Sequence, residues 1–131
     1  MSHVITDYVR AWEHGDLDGV LGSYSPEIVA HYGGTSSFAG DHHGIEAFVN
    51  VLAETSQRSE RRLVSIEQLH DAGDHGSVFV VEAVTIDGAE HLVHRALRFR
   101  VDGDHIAEVW LYDLDQHVVD RSWCCVDRSW R

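Results

Sequence analysis

The chain has 131 residues, of which 22 are acidic and 10 are basic, giving a formal net charge of −12 with histidine neutral. This charge argues against nucleic acid and anionic membrane as partners, because both require a basic surface. Hydrophobic residues make up 44% of the chain, which is typical of one globular domain with a sizeable core. We expect a single domain over residues 1–131, with its core at about 3–123 and a tail at 124–131.

Several features predict a cytoplasmic location. The sequence has no apolar run of membrane-spanning length. Its first residues lack the basic start and apolar core of a signal peptide. Its two cysteines, Cys124 and Cys125, are adjacent, and adjacent cysteines rarely bridge each other because so small a ring is strained. Unpaired cysteines are typical of a reducing compartment.

Histidine is unusually frequent, with 11 residues that include the pair His42-His43. Clustered histidines can bind metal ions, and a metal-dependent enzyme is the weakest of the functional hypotheses. The spacings typical of metal sites, such as HExxH, HxH and CxxC, do not occur. We therefore predict no metal ligand.

The first part of the chain predicts three helices, because apolar residues recur there at helical spacing. The second helix has Asp16 as its N-cap. A turn at Ser25-Pro26, a short strand and a loop at residues 35–44 separate it from the third. The predicted helices are Val4–His14, Leu17–Tyr24 and Ile45–Thr55, and the strand is Glu27–Tyr32.

Four longer strands with short turns follow. The Asp-Gly dipeptide at Asp87-Gly88 is a strong hairpin signal, because both turn residues need positive φ. This order predicts an α+β fold, with three N-terminal helices packed on one face of a curved, mostly antiparallel sheet. The predicted strands are Arg61–His70, Ser77–Ile86, Ala89–Val101 and His105–Leu114, and the turns between them lie at Ala72-Gly73-Asp74, Asp87-Gly88 and Asp102-Gly103-Asp104.

A two-residue turn at Asp87-Gly88 would place Ile86 opposite Ala89 and Val80 opposite Arg95. Side chains alternate across a strand, so one face of three successive strands is expected to carry Glu82, Arg95 and Glu108. This face is the bulkier and more apolar, and we assign it to the inside, under the helices. Buried charges are costly unless paired, which predicts a carboxylate–arginine–carboxylate array that is either catalytic or a structural ion-pair ladder.

The opposite, outer face of the predicted sheet is flat and apolar. An apolar sheet face without helices needs cover. We therefore expect a homodimer formed through this outer face. Its predicted members include Ala83, Ala96, Ala107, Val109 and Leu111.

The segments EIVAHYGG and SSFAGDHHGIEAF resemble the stretch after the second helix in SnoaL-like members of the nuclear transport factor 2-like superfamily. That family has a strand with Trp-His, then Pro-Gly, then Gly–x–x–x–Gly before the third helix. The end of the chain, with FRVDGDHIAEVW, Asp115-Gln116, Asp120 and Trp123, is also similar, and the element order agrees over about residues 3–123. His31, Gly34, Gly40 and Gly44 match the family's pattern, whereas Ala30 replaces its Trp and Gly33 its Pro.

The resemblance implies a cone-shaped fold with one pocket between the helices and the inner sheet face. Enzymes of this group use acid–base pairs in an apolar cup, without metal or cofactor. SnoaL-type cyclases carry an Asp just after a His-Trp on the last strand, where this chain has Val109-Trp110-Leu111. Epoxide hydrolases of the superfamily use an Asp–Arg–Asp array, which Glu82, Arg95 and Glu108 resemble in kind. Ketosteroid isomerases use an Asp base, with a Tyr and a protonated acid as oxyanion donors, and the resemblance would make Tyr112 or Tyr24 the counterpart of that Tyr.

We expect His31 and Glu108 to act as acid and base, since the ordinary pKa of imidazole lies near neutral pH. Arg95 would orient the base or stabilise an oxyanion. Asp115, near the end of a strand, is either a turn or cap residue or an acid at the pocket mouth. The expected substrate-binding residues are Trp110 and Tyr112 as an aromatic wall, Glu82 and His91 on the inner face, and Phe48, Tyr24 and Trp12 from the helical apolar stripes.

These features predict a cofactor-independent enzyme that acts on an oxygenated, largely apolar small molecule. Isomerisation, cyclisation, dehydration and epoxide opening all remain open as its reaction. The alternative is a module of the same fold that binds a small molecule or a protein without catalysis. In that case the array of Glu82, Arg95 and Glu108 would be purely structural.

Overall fold

A computed structural model describes residues 3–34 and 38–124, with side chains as far as Asp120. The helices and strands alternate at first and then give way to a long antiparallel meander. In chain order the elements are α1 (Val4–Glu13), α2 (Leu17–Gly22), β1 (Tyr24–Tyr32), β2 (Gly40–His43), α3 (Ile45–Ser59), β3 (Arg62–Asp71), β4 (His75–Ile86), β5 (Ala89–Asp102), β6 (His105–Asp113) and α4 (Gln116–Cys124).

The three predicted N-terminal helices are confirmed, and α1 and α3 bury an apolar stripe against the sheet. In α1 that stripe is Ile5, Tyr8 and Val9, at the spacing that one helix face requires. The α2 helix begins after Asp16, whose Oδ1 accepts a hydrogen bond from the Gly19 N–H at 3.0 Å. This is the predicted N-cap, which satisfies an otherwise unpaired amide at the start of the helix.

The sheet has six strands in the order β2-β1-β6-β5-β4-β3. The β1 and β6 strands pair in parallel, and all other neighbours are antiparallel. The helices cover one face of this curved sheet, which confirms the α+β prediction. No helix in the described part of the chain is long and apolar enough to cross a membrane.

The turn between β4 and β5 has the predicted form and register. Asp87 and Gly88 have φ values of 53° and 79°, as a two-residue turn with the twist of a hairpin requires. Ile86 lies opposite Ala89, and Val80 lies opposite Arg95. The inner-face prediction for Glu82 and Arg95 is therefore confirmed.

The predicted place of Glu108 on the inner face is wrong, because a bulge interrupts the pairing of β5 and β6. Val101 lies opposite Ile106 but Arg100 lies opposite Glu108, so Ala107 is an extra residue in β6. One extra residue moves every later side chain to the other face. Val109 and Leu111 are consequently buried on the inner face, whereas Glu108, Trp110 and Tyr112 lie on the outer face.

The structure differs from the prediction at three further elements. The β1 strand begins at Tyr24 and absorbs the predicted Ser25-Pro26 turn, so α2 is shorter than predicted. The β2 strand lies in a predicted loop, because its sequence GDHH has no apolar alternation and forms only by pairing with β1. The α4 helix was missed because its stripe is short; only Val119 is fully buried in its described side chains.

Some predictions fall outside the described residues. These are residues 35–37 of the predicted loop, the side chain of Cys124 and all of Cys125. The segment VDRSW occurs at Val119–Trp123, within α4, and again at 126–130, beyond the described part of the chain.

Candidate active site

A cavity of about 240 Å³ lies between the inner face of the sheet and helices α1 to α3. Its wall is largely apolar and aromatic, as expected for a small-molecule site. A small set of polar side chains interrupts this wall. The apolar lining comprises Trp12, Leu17, Val20, Phe48, Leu52, Leu97, Val109 and Leu111, and the polar lining comprises Tyr8, Tyr24, Ser56, Arg61, Glu82 and Arg95.

The central polar group is a buried array of two carboxylates bridged by one arginine. Arg95 Nη1 donates to Glu82 Oε1 at 2.7 Å, and Arg95 Nε lies 2.6 Å from Asp113 Oδ1. A second arginine, Arg61, places its Nε 3.4 Å from Glu82 Oε2. The side chains of Glu82, Arg95 and Asp113 are at most 4% exposed. The predicted carboxylate–arginine–carboxylate array is present, but Asp113 takes the place predicted for Glu108.

Burial and charge act in opposite directions in this array. Burial lowers the pKa of Arg95, but the adjacent Glu82 and Asp113 carboxylates raise it by more, so Arg95 is a permanent cation. Burial raises the pKa of Asp113 above its ordinary value of 3.8, although Arg95 opposes the rise. Asp113 therefore holds a proton more readily than an exposed aspartate does.

Two tyrosines place a pair of hydroxyl groups in the same cavity. The hydroxyl oxygens of Tyr8 and Tyr24 are 2.9 Å apart. Burial raises the pKa of Tyr8 to about 12 and that of Tyr24 well above 10, so both are neutral near pH 7. Each hydroxyl has one hydrogen. When one donates to the other, the acceptor keeps its own hydrogen for a ligand oxygen.

Aromatic packing fixes this tyrosine pair. The ring of Tyr8 meets Phe99 edge-on at a centroid distance of 5.4 Å, and the ring of Tyr24 meets Phe48 edge-on at 4.9 Å. Such edge-to-face contacts are favourable beyond the area they bury. The two hydroxyls are thus held in place by the apolar core.

A second polar cluster, which we call the outer network, lies on the opposite face of the sheet. It consists of Asp41, His31, Glu108 and Arg100. His31 Nδ1 lies 2.7 Å from Asp41 Oδ1, His31 Nε2 lies 2.5 Å from Glu108 Oε2, and Arg100 Nε donates to Glu108 Oε1 at 3.0 Å. Trp110 stacks on the His31 ring at 5.3 Å. These contacts tie β2, β1, β6 and β5 together.

The outer network favours a protonated His31. Partial burial lowers the pKa of His31, but hydrogen bonds to Glu108 and Asp41 raise it above 6.5. The hydrogen bond from His31 in turn lowers the pKa of Asp41 below 3.8 and that of Glu108 below 4.5. The imidazolium therefore donates from both ring nitrogens to carboxylates.

Five predicted site residues line the cavity: Trp12, Tyr24, Phe48, Glu82 and Arg95. The other six do not. His31 and Glu108, the predicted acid and base, do contact each other, but on the outer face. The Ala107 bulge takes Trp110 and Tyr112 to that face as well. His91 lies opposite Val84, away from the cavity lining. Asp115 precedes α4, and its carbonyl accepts hydrogen bonds from the amides of Val118 and Val119, which is the predicted cap position.

Sequence reasoning missed three residues: Tyr8, Arg61 and Asp113. Tyr8 was visible in the apolar stripe of α1, and its position beside Trp12 on that face was the available signal. Arg61 is the first residue after the α3 C-cap, where no pattern marks its direction. Asp113 would have been found only by anticipating the bulge, for which the small residue Ala107 is a weak signal.

A metal site would need several ligands held together. Within residues 3–34 and 38–120, no group of three or more His, Cys, Asp or Glu side chains is placed to hold a metal ion. The surplus histidines are dispersed, and the two in best contact with carboxylates, His31 and His75, lie in separate ion pairs.

Solved structures of the same fold come from several bacteria. A protein of unknown function with a cystatin-like fold from Xanthomonas campestris has a TM-score of 0.85 at 21% identity, covering 95% of this chain and 99% of that one. An NTF2-like protein from Burkholderia xenovorans has a TM-score of 0.75 at 18% identity, covering 92% of each chain. A candidate SnoaL-like polyketide cyclase from Mesorhizobium loti has a TM-score of 0.71 at 19% identity, covering 83% of this chain and 95% of that one.

At these identities the neighbours show the fold alone. A comparison with curated proteins finds no match. The sequence model of the family described as SnoaL-like domain matches residues 5–109, which is most of the chain. The chain therefore belongs to the SnoaL-like domain family, and its fold is that of the NTF2-like neighbours.

Proposed function

We propose that the protein is a cofactor-independent enzyme that moves protons on an oxygenated, largely apolar small molecule inside the cavity. The observation that carries this proposal is the buried array of Glu82, Arg95 and Asp113 beside the hydroxyl pair of Tyr8 and Tyr24. A base and a hydrogen-bond donor that face one apolar cavity are what proton transfer next to a carbonyl requires.

Glu82 is the proposed base, because it is the carboxylate that lines the cavity. Its Oε1 accepts from Arg95, which fixes the direction of the carboxylate. Asp113 does not line the cavity, and it acts by holding Arg95 from the other side. In this scheme Arg95 and Asp113 are positioning residues, and Glu82 takes the proton.

The tyrosine pair is the proposed electrophile. In a ketone, Glu82 would take a proton from the carbon next to the carbonyl. The electron pair of the broken C–H bond would form a carbon–carbon double bond, and the π pair of the carbonyl would move to its oxygen. The free hydroxyl hydrogen of Tyr8 or Tyr24 would stabilise that oxyanion, and Glu82 would return the proton to carbon. In an epoxide, Glu82 would take a proton from water, the water oxygen would attack carbon, and the electron pair of the broken C–O bond would stay on the epoxide oxygen. A tyrosine hydroxyl would stabilise that alkoxide, which would take up a proton as Glu82 releases the one it accepted, giving a neutral diol.

Deuterium exchange tests this proposal without knowledge of the natural substrate. The protein is incubated in deuterium oxide with α-tetralone, β-tetralone, styrene oxide and limonene oxide, and α-proton exchange and diol formation are followed by NMR. We expect wild-type protein to catalyse at least one of these reactions. Glu82→Gln should lower its rate by about 100-fold, and Tyr8→Phe or Tyr24→Phe by about 10-fold or more. Arg100→Gln, on the outer face, is the control and should leave the rate unchanged.

Two outcomes would contradict the proposal. Binding of the probes with no exchange and no diol would indicate the alternative, a binding module of the same fold. A rate that falls in Glu108→Gln but not in Glu82→Gln would move the chemistry to the outer network. Each variant needs a wild-type circular dichroism spectrum, so that loss of activity is not loss of fold.

A further inference from the structure

Arg61 has an unusual position at the cavity wall. Glu60, the C-cap of α3, has a left-handed φ of 47° and turns the chain, and the Arg61 amide donates back to the Ser56 carbonyl at 3.3 Å. The turn sends the Arg61 side chain inward, where it is only 10% exposed. Arg61 and Ser56 both line the cavity.

The two cavity arginines differ in how well they are paired. Arg95 lies within 2.7 Å of two carboxylates. Arg61 reaches only Glu82, at 3.4 Å, and its Nη1 is buried without a hydrogen-bond partner among the described residues. A buried donor without an acceptor costs about 1–3 kcal/mol, and more for a charged group. An acceptor supplied by a ligand would remove that cost.

The charges that line the cavity point the same way. Arg61 and Arg95 contribute two positive charges, and Glu82 contributes one negative charge. Asp113, behind Arg95, supplies a second negative charge, so the four side chains together are neutral. Both carboxylates lie close to Arg95, at 2.7 and 2.6 Å, whereas Arg61 lies 3.4 Å from Glu82, so Arg61 is the less neutralised of the two arginines.

We propose that Arg61 binds a carboxylate of the substrate, so that the substrate is an apolar acid with an aromatic or alicyclic body. A guanidinium group matches a carboxylate in shape and in hydrogen bonding. The body of such an acid would lie against the aromatic and aliphatic wall formed by Trp12, Phe48 and Leu52. This inference takes the cavity as the substrate site, and so it rests on the proposed function.

A matched pair of ligands and a matched pair of variants test the inference. Isothermal titration at pH 7 compares β-naphthoate with its neutral amide, β-naphthamide, on wild-type protein. The variants are Arg61→Gln and Arg62→Gln, which remove the same charge from adjacent residues; the Arg62 side chain is 59% exposed and pairs with Glu90. We expect wild type and Arg62→Gln to bind the acid at least about 10-fold more tightly than the amide. Arg61→Gln should bind the two equally, with amide affinity unchanged within about twofold.

Equal affinity for acid and amide in wild type, or no binding of β-naphthoate at millimolar concentration, would overturn the inference. A preference for the acid that survives in Arg61→Gln would do so as well, as would a preference lost equally in Arg62→Gln. These results are independent of turnover. A carboxylate preference in a protein that fails the exchange assay would keep the anion site and remove the enzyme, whereas exchange of neutral ketones without any preference would keep the enzyme and remove the anion site.

Discussion

Arg95 of β5 lies directly opposite Asp113 of β6, with its Nε 2.6 Å from Oδ1 of that carboxylate. This relationship depends on the bulge at Ala107. If the pairing of Asp102 with His105 continued without interruption, Tyr112 would lie opposite Arg95. Because of the extra residue, Asp113 and not Tyr112 lies opposite Arg95, and the buried guanidinium gains its second carboxylate partner.

Removal of the Arg95 charge should destabilise the protein strongly. Arg95→Met would leave Glu82 and Asp113 as buried carboxylates without their shared cation. Breaking a buried ion pair in this way typically costs about 3–5 kcal/mol. We expect a decrease of that size in the free energy of unfolding, measured by urea denaturation followed by far-UV circular dichroism.

Arg100→Met is the matched control for this experiment. Arg100 also pairs with a carboxylate across β5 and β6, at 3.0 Å from Glu108, but its side chain is 50% exposed. An exposed pair contributes at most about 1 kcal/mol. Equal effects of Arg95→Met and Arg100→Met would contradict a stabilising role for the buried array.

The sequence predicted the parts of the fold that follow from local rules. The Asp87-Gly88 turn fixed the β4–β5 register, because positive φ at both residues permits few other turns. The helical stripes of α1 and α3 predicted which side chains line the cavity, including Trp12 and Phe48. These features need no knowledge of distant contacts, which is why alternation and spacing were sufficient.

The sequence predicted the site residues of β4 and β5 but not those of β6 that follow the bulge at Ala107. Alternation placed Glu82 and Arg95 correctly, since no irregularity lies between them on β4 and β5. It misplaced Glu108, Trp110 and Tyr112, because a bulge is decided by how β6 fits between β1 and β5 and leaves almost no local signal. The predicted pair of carboxylates bridged by Arg95 is present, but its second member is Asp113 and not Glu108.

The outer network should make stability depend on pH through His31. The pKa of His31 is raised above 6.5, so its contribution is present in full below pH 6.5 and is lost as the pH rises through the raised value. The pKa values of Asp41 and Glu108 are lowered, so their contributions are lost only as the pH falls through those lower values. The network is therefore strongest from about pH 5 to about pH 6.5.

A double-mutant cycle of His31→Gln and Glu108→Gln measures this effect. We expect a coupling free energy of about 1 kcal/mol near pH 6, because the His31 side chain is 26% exposed and solvent weakens the pair. The coupling should decrease toward zero as the pH rises to about 9, since neutral imidazole forms no ion pair. A coupling that is constant over this range would show that His31 does not titrate in the network.

We expect two copies of the chain to form a homodimer through the outer sheet face. The residues of the contact differ from those predicted from the sequence. Val109 and Leu111 line the cavity instead, and the outer face presents Phe79, Ala96 and Tyr112 in one row across β4, β5 and β6. Phe79 and Tyr112 are 46% and 52% exposed. Such a row of apolar and aromatic side chains is typical of a surface covered by a partner, and a second copy would supply the same row across a twofold axis.

Tyr112→Glu should separate the two copies, because a two-fold axis would bring the two new carboxylates into one apolar contact. We expect the dissociation constant to rise by about 100-fold or more, measured by light scattering during size-exclusion chromatography over a range of concentrations. Leu17→Glu, at an exposed apolar residue of α2 on the helical side, is the control and should remain dimeric. A wild-type protein that is monomeric at about 100 µM would refute the interface. That concentration is well above the nanomolar-to-micromolar dissociation constants of ordinary specific interfaces. A Tyr112→Glu protein that stays dimeric would place the contact elsewhere.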